Sequence, residues 1–368
     1  MSFYDFKKQY ENIDFKKFES SVTDEQIKNI LRKDEEISEF DFLALLTPSA
    51  LPFLEEMAKK ANSIAVRHFG KAISLFAPLY VSNFCINNCA YCGFSTRNDI
   101  ERKILNFDEV EENAKIVSGF GIRHILLLTG ESAVKTNMEY LKSCVQILRK
   151  YFDGVDIEIY PLTEEGYREL GGAGVDGLTI FQETYNEELY KVLHTKGNKT
   201  NYRFRLETCE RAGRAGYRSL SIGALLGLDD FCRELFFTGL HAKFLQKTFP
   251  SSDIGISFPR IRAAEGGYQP RTIISDANLV QALCAIRLFI NRIGITISTR
   301  ENNDLRKNLI GLGITKMSAA SNTQVGGYAK EGNTKGQFEI SDEASVEEVK
   351  DMIYKKGYQP VLKDWMTL

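Results

Sequence analysis

A chain of 368 residues is too long for a minimal domain and suits one large α/β domain with appendages, or two modest domains. With 43% apolar and 26% charged residues it has the composition of an ordinary soluble globular protein. The balance of 47 basic against 49 acidic residues gives no electrostatic case for binding nucleic acid or an anionic membrane surface.

In chain order, residues 1 to 72 read as a mostly helical region, with helices predicted over 24–32 and 51–69. The opening stretch to Ser21 alternates charges with Phe3, Tyr4, Phe6, Tyr10, Phe15 and Phe18, so it has neither the apolar centre of a signal peptide nor the acid-poor character of a transit peptide. No apolar run approaches the roughly 20 residues that a membrane-spanning helix requires. A reducing, cytoplasmic location is expected.

From Ser74 onward, short aliphatic or β-branched runs alternate with amphipathic helical stretches. Strands are predicted over 74–81, 124–129, 156–162, 177–184, 219–226, 253–260, 294–299 and 316–321. Helices fall between them, as over 137–152 (Leu141, Cys144, Val145 and Leu148 on one face) and over 276–292 behind Ser275 as a cap. Gly119, Gly121, Gly174, Gly216 and Gly294 end such helices. Eight strand and helix alternations with nearly all-apolar strands predict a (β/α)8 barrel over residues 73–322. The competing doubly wound sheet lacks support, because no G-x-G-x-x-G follows the first strand. Residues 323–368 form a C-terminal capping region with one helix over 346–356.

Three of the seven cysteines, Cys85, Cys89 and Cys92, follow the first strand at spacings of four and three. Three thiolates are one short of a closed zinc site or an ordinary iron–sulfur cluster, so one coordination position stays open. A zinc site completed by His68, His124, His194 or His241 is the competing reading, but no second C-x-x-C and no paired histidines support it. A disulfide is disfavoured by the odd cysteine count and the absent secretory segment. Cys144, Cys209, Cys232 and Cys284 are scattered singly in helical patterns and read as core or surface thiols.

In a parallel barrel, catalytic groups gather past the C-terminal ends of the strands. Those ends here carry Gly130 and Glu131, Tyr160, Glu183, Arg260 and Arg262, Arg300 and Glu301, and Ser318 to Gln324; Arg205, Glu207 and Arg211 follow the fourth strand. Glu131, Glu183, Arg260 and Arg300 each come directly after an apolar run, where an unpaired charge is costly to desolvate. Such charges persist when they are paired or when they bind a ligand, and a zwitterion needs both signs. Tyr160, Tyr268 and Tyr328 read as packing residues.

The cysteine string resembles that of the radical S-adenosylmethionine (SAM) enzymes. The segments APLYVSNFCINNCAYCGFS, LLLTGES, IFQETYNEELY, FRLETCERAGRAG, SIGALLGL, SFPRIR, STRE, NTQVGGYA and the closing KDW together resemble the tyrosine lyases of thiazole biosynthesis, the 2-iminoacetate synthases. The resemblance implies a radical SAM barrel in which Cys85, Cys89 and Cys92 hold a [4Fe-4S] cluster with SAM on its fourth iron. It further implies Tyr91 near the adenine, Gly130 and Glu131 at the SAM amino group, and Glu183 at its ribose or methionine. Arg205 then meets the SAM carboxylate, and Arg300 the tyrosine carboxylate, with Ser318 or Ser321 near the tyrosine amine. The implied reaction starts from a 5′-deoxyadenosyl radical and cleaves the Cα–Cβ bond of L-tyrosine. Its products are 2-iminoacetate (dehydroglycine) and p-cresol, with 5′-deoxyadenosine and methionine from the cofactor. A reduced flavodoxin- or ferredoxin-type electron donor and a thiazole synthase partner are implied as well.

The alternatives are other aromatic amino-acid radical lyases. The hydrogenase-maturation tyrosine lyase carries a second cluster on C-terminal cysteines, and here none follows Cys284; the tryptophan lyase type is more remote. A non-catalytic iron–sulfur or zinc module would need a fourth protein ligand.

Overall fold

The computed structural model describes residues 1–34, 36–329 and 334–363. Eight parallel strands form the barrel: β1 (Ala72–Ser82), β2 (His124–Thr129), β3 (Gly154–Glu158), β4 (Gly177–Glu183), β5 (Ser219–Ala224), β6 (Asp253–Ser257), β7 (Gly294–Ile297) and β8 (Lys316–Ser318). Each pairs with the next, and β1 pairs with both β2 and β8, so the sheet closes. A ninth strand, β9 (Gln359–Val361), runs parallel to the first residues of β1, with Ala72 opposite Gln359 and Ser74 opposite Val361. Ser74 also faces Lys316 of β8, so β9 occupies the edge of β1 that β2 leaves free below Ala77.

From β3 to β8 the strands are shorter than the sequence predicts at their C-terminal ends. β3 stops at Glu158 rather than 162, and β6 at Ser257 rather than 260. Apolar runs such as Ile159 to Leu162 continue as buried or half-buried loop, where burial outlasts the hydrogen-bond ladder. Gly294 opens β7 instead of ending a helix, while Gly174 has the left-handed φ of 112° expected of a C-cap. The helix Asp276–Phe289 begins at the predicted cap, where the Ser275 side chain accepts from the Asn278 amide.

Alternation along the strands sorts the two faces. On β1, Ile73, Leu75, Ala77 and Leu79 are buried outward, whereas Ser74, Phe76, Pro78 and Tyr80 line the interior. Branched side chains usually fill such a barrel in layers. Here small or polar residues, among them Thr179, Ser221, Gly255 and Thr296, leave an interior cavity of about 810 Å³. The N-terminal helices join the outer layer: Phe42 of helix Glu39–Leu46 stacks on Phe289 at 4.4 Å, and Phe3 stacks on His241 at 4.0 Å. No helix among the described residues is long and apolar enough to cross a membrane.

Candidate functional site

The cysteine loop leaves the end of β1 and is pinned by backbone bonds to its neighbours. Gly130 N–H donates to the Ser82 carbonyl at 2.8 Å, Ile86 N–H to the Glu131 carbonyl at 3.0 Å, and Ala90 N–H to the Leu193 carbonyl at 3.0 Å. Only glycine fits at 130, since a Cβ there would stand 2.3 Å from the Phe84 carbonyl oxygen. All seven cysteines are free thiols. Among the described residues the only His/Cys/Asp/Glu trio with every ligand atom within 4.8 Å of the others is Glu19, Asp230 and Cys232. Cys85, Cys89 and Cys92 sit on this one loop, with Cys89 buried and Cys92 on the cavity wall. Burial pushes the Cys85 thiol up to about 11 and raises Cys89 and Cys92 too, so metal binding has to displace protons.

A network of buried charges borders the thiols. Arg205 donates from Nε to the Phe181 carbonyl at 2.7 Å and from Nη1 to Glu131 Oε1 at 2.8 Å. Asn87 Nδ2 donates to Glu131 Oε2 at 2.7 Å, and Lys199 Nζ to Glu183 Oε1 at 2.6 Å. Arg205 Nη2 stands 3.6 Å from Glu183 Oε1, beyond hydrogen-bond reach. Burial alone would raise both carboxyls, but Arg205 and Lys199 outweigh it and hold Glu131 and Glu183 below the usual carboxylate range. Burial likewise opposes the charge on Lys199, yet Glu183 and its other anionic neighbours raise it. The Tyr91 hydroxyl and His194 Nε2 are 2.8 Å apart, with the tyrosine ring on the cavity wall.

Arg300, three residues past the end of β7, lines the same cavity. Its guanidinium lies 3.3 Å from the Phe338 ring centre and its Nη1 reaches the Arg260 carbonyl at 3.4 Å, but among the described residues it forms no ion pair. Burial lowers its affinity for the proton. Ser318 Oγ accepts from Thr299 N–H at 3.1 Å, whereas Ser321 Oγ is buried with no hydrogen-bond partner, an orphan on the cavity wall that a ligand could satisfy. Tyr80 donates from its hydroxyl to Gln337 Oε1 at 2.9 Å, and Gln337 Nε2 lies 3.8 Å from Cys92 Sγ. Cys92, Tyr91, Glu183, Arg300, Ser318 and Ser321 therefore open onto one cavity.

Several expectations acquire a physical account. Glu131 and Glu183 persist because they are paired. Arg260 also persists through pairing, with Glu301 and with Asp276 at 2.8 Å, so it is a scaffold residue and not a free ligand contact. Arg211 packs over Phe204 and donates to the Leu162 carbonyl. Tyr160 and Tyr328 donate to the carbonyls of Thr136 and Pro78, as packing residues do. The scattered cysteines are all buried. Of the closing KDW string only Lys363 lies within the described residues. Sequence reasoning missed Asn87, Lys199 and Glu158. Asn87 sits on a loop and Lys199 in a three-residue 3-10 turn, neither with periodicity, and Glu158 follows Asp156 by two residues inside a largely apolar run, where a carboxylate was the available signal.

The chain resembles known proteins in sequence and in fold. The Radical SAM superfamily profile matches residues 79–236, and that of the Biotin and Thiamin Synthesis associated domain matches residues 257–359. The chain is 39% identical over 330 residues to the 2-iminoacetate synthase of Salmonella typhimurium, covering 89% of this chain and 88% of the relative. It is 40% identical over 326 residues to the 2-iminoacetate synthase of Escherichia coli, covering 88% and 86%. Among solved structures, HydG, a maturase of the [FeFe]-hydrogenase, superposes with a TM-score of 0.90 at 31% identity, covering 96% of this chain and 80% of HydG.

Proposed function

We propose, from the premise that the chain belongs to the 2-iminoacetate synthase family of radical SAM enzymes, that the barrel cavity is where tyrosine is bound and cleaved. The protein is a carbon–carbon lyase that splits L-tyrosine between Cα and Cβ to 2-iminoacetate and p-cresol, for the thiazole moiety of thiamine. Its cofactors are a [4Fe-4S] cluster and SAM. When bound, they supply a hydrogen-abstracting radical; the hard chemistry is the cofactors' and the placement is the protein's.

Cys85, Cys89 and Cys92, the three thiols of the loop after β1, would hold the cluster. Arg205 is fixed by Phe181 and Glu131, with Nη2 left over for the SAM carboxylate; a planar fork suits a planar anion. Glu131 and Glu183, ionised against Arg205 and Lys199, would accept from the SAM amino group and from its ribose or methionine portion. Tyr91 would flank the adenine. Arg300 would bind the tyrosine carboxylate, and Ser321, with Ser318, would meet the amine. The observation that carries the reading is the unpaired Arg300 sharing one cavity with the cysteine loop.

A reduced flavodoxin- or ferredoxin-type protein would deliver electrons, and a thiazole synthase would receive the readily hydrolysed imine, both in the cytoplasm. The reading is tested by anaerobic reconstitution with iron and sulfide, followed by SAM, dithionite and tyrosine. Equal release of 5′-deoxyadenosine and p-cresol is expected. A colourless zinc protein, or SAM cleavage without p-cresol, overturns it.

A further inference from the structure

One carboxyl of the barrel strands stands on the inner wall outside the ion-pair network of the described residues. Glu158 ends β3 and lines the cavity, and among the described residues its carboxylate makes no hydrogen bond and no ion pair. Strand register places it level with Leu128 of β2, and Leu128 level with Tyr80 of β1, whose hydroxyl leads through Gln337 to Cys92. Arg300 stands close enough for its charge to act on Glu158. An anion and a cation, each without an ion-pair partner, thus face one cavity beside the cysteine loop, the arrangement that a zwitterionic amino acid complements.

We propose that Glu158 is the counter-charge for the substrate's α-ammonium, opposite Arg300 on the carboxylate, and that it accepts one proton from that ammonium so that the amine enters the reaction neutral. The proposal rests on the tyrosine lyase reading and adds a residue to it. In this step one N–H bond breaks and one O–H bond forms: R–NH3⁺ and a carboxylate become R–NH2 and a carboxyl, with no electron transferred. The surroundings favour it. Burial, reinforced by Glu183, pushes the Glu158 carboxyl up to about 7, against the opposing pull of Arg300, Arg205 and Lys199; Tyr80 is a further titratable neighbour, and Asp156, two residues earlier on β3, lines the same cavity. A proton acceptor poised near the working pH is what such a transfer needs. Other groups in the cavity are less suited. Glu183 is committed to Lys199, Ser318 Oγ already accepts from Thr299 N–H, and a neutral hydroxyl cannot take up the charge.

The test uses the reconstituted holoenzyme as wild type, Glu158→Gln and Glu158→Asp, with tyrosine as substrate and its desamino analogue, 3-(4-hydroxyphenyl)propanoate, as competitive ligand. Glu158→Gln should raise KM for tyrosine about tenfold or more, the scale of one lost charged hydrogen bond, and remove the limb of the kcat profile near pH 7. The same variant should bind the desamino acid as wild type does, Glu158→Asp should recover part of the loss, and the spectral response of the cluster to SAM should be unchanged in all three. An unchanged KM and pH limb in Glu158→Gln overturns the proposal. So does an equal loss of affinity for tyrosine and the desamino acid, which marks a merely structural role. Absence of p-cresol from the wild type would instead overturn the tyrosine lyase reading, so the two failures are distinct.

Discussion

Glu183 is one of two non-glycine residues with positive φ, at 72°, among the described residues, and it sits where β4 breaks register against β5. Backbone strain of this kind persists when surrounding contacts over-determine it. Here those contacts are Lys199 Nζ on its carboxylate and Leu225 N–H on its carbonyl at 2.8 Å. Lys199→Met leaves Arg205 as the one cation paired with two buried carboxylates, and should cost about 3–5 kcal/mol of stability, the scale for orphaning a buried charge. Because Glu131 and Glu183 have depressed folded pKa values, the stability they contribute is present above the ordinary carboxylate value of about 4.3 and is lost as pH falls through their lower folded values. The Lys199→Met deficit, measured by urea unfolding, should therefore be full at pH 7 and shrink below about pH 4. Arg300 offers the complementary experiment. Its guanidinium is stacked on Phe338, a seat that an ammonium fills poorly. Arg300→Lys should raise KM for tyrosine about tenfold while the SAM-induced spectral change of the cluster stays as in wild type.

At the scale of elements, what could be read from the sequence follows from what makes each element. β2 matches its prediction from His124 to Thr129 because its ladder and its apolar run end together. β3 and β6 were overrun because Ile159 and Phe258 stay buried after the ladder stops. β9 escaped notice since three residues around Pro360 carry no alternation and are defined only by their place beside Ala72 to Ser74. The cysteine loop was legible as chemistry but not as geometry. Its seat depends on contacts between segments, above all the approach of Gly130 to Phe84. Gly130→Ala forces that contact apart, so it should destabilise by about 1–3 kcal/mol and lower the iron retained per chain after anaerobic reconstitution. Gly172→Ala is the matched control: it lies in helix Glu164–Ala173 with nothing within 4 Å of the added methyl, and should leave iron content unchanged.

For the molecule as a whole, the three regions proposed from the sequence, 1–72, 73–322 and 323–368, share one packed interior. The same apolar cluster includes Phe3 and Phe42, the barrel's Leu79 and Ile256, and Val349 and Ile353 of helix Val346–Lys355. We therefore regard the regions as sequence segments of one cooperative unit. The first is tied in by shape as well as area. Gly239 makes room for Phe42, since a Cβ there would stand 2.5 Å from the Phe42 ring, and Gln281 Nε2 donates to the carbonyls of Leu45 and Thr47. Removing residues 1–46 would unseat Phe3, Phe15, Ile27 and Phe42 from the outer helices, at roughly 1.5–3 kcal/mol for each buried side chain. That loss is comparable with the whole net stability of about 5–15 kcal/mol typical of a folded domain. The truncated chain should accumulate as aggregate on expression, whereas the full chain should unfold in a single calorimetric transition. Recovery of a truncated chain that melts cooperatively near the full-length temperature would show instead that the barrel folds without its N-terminal helices.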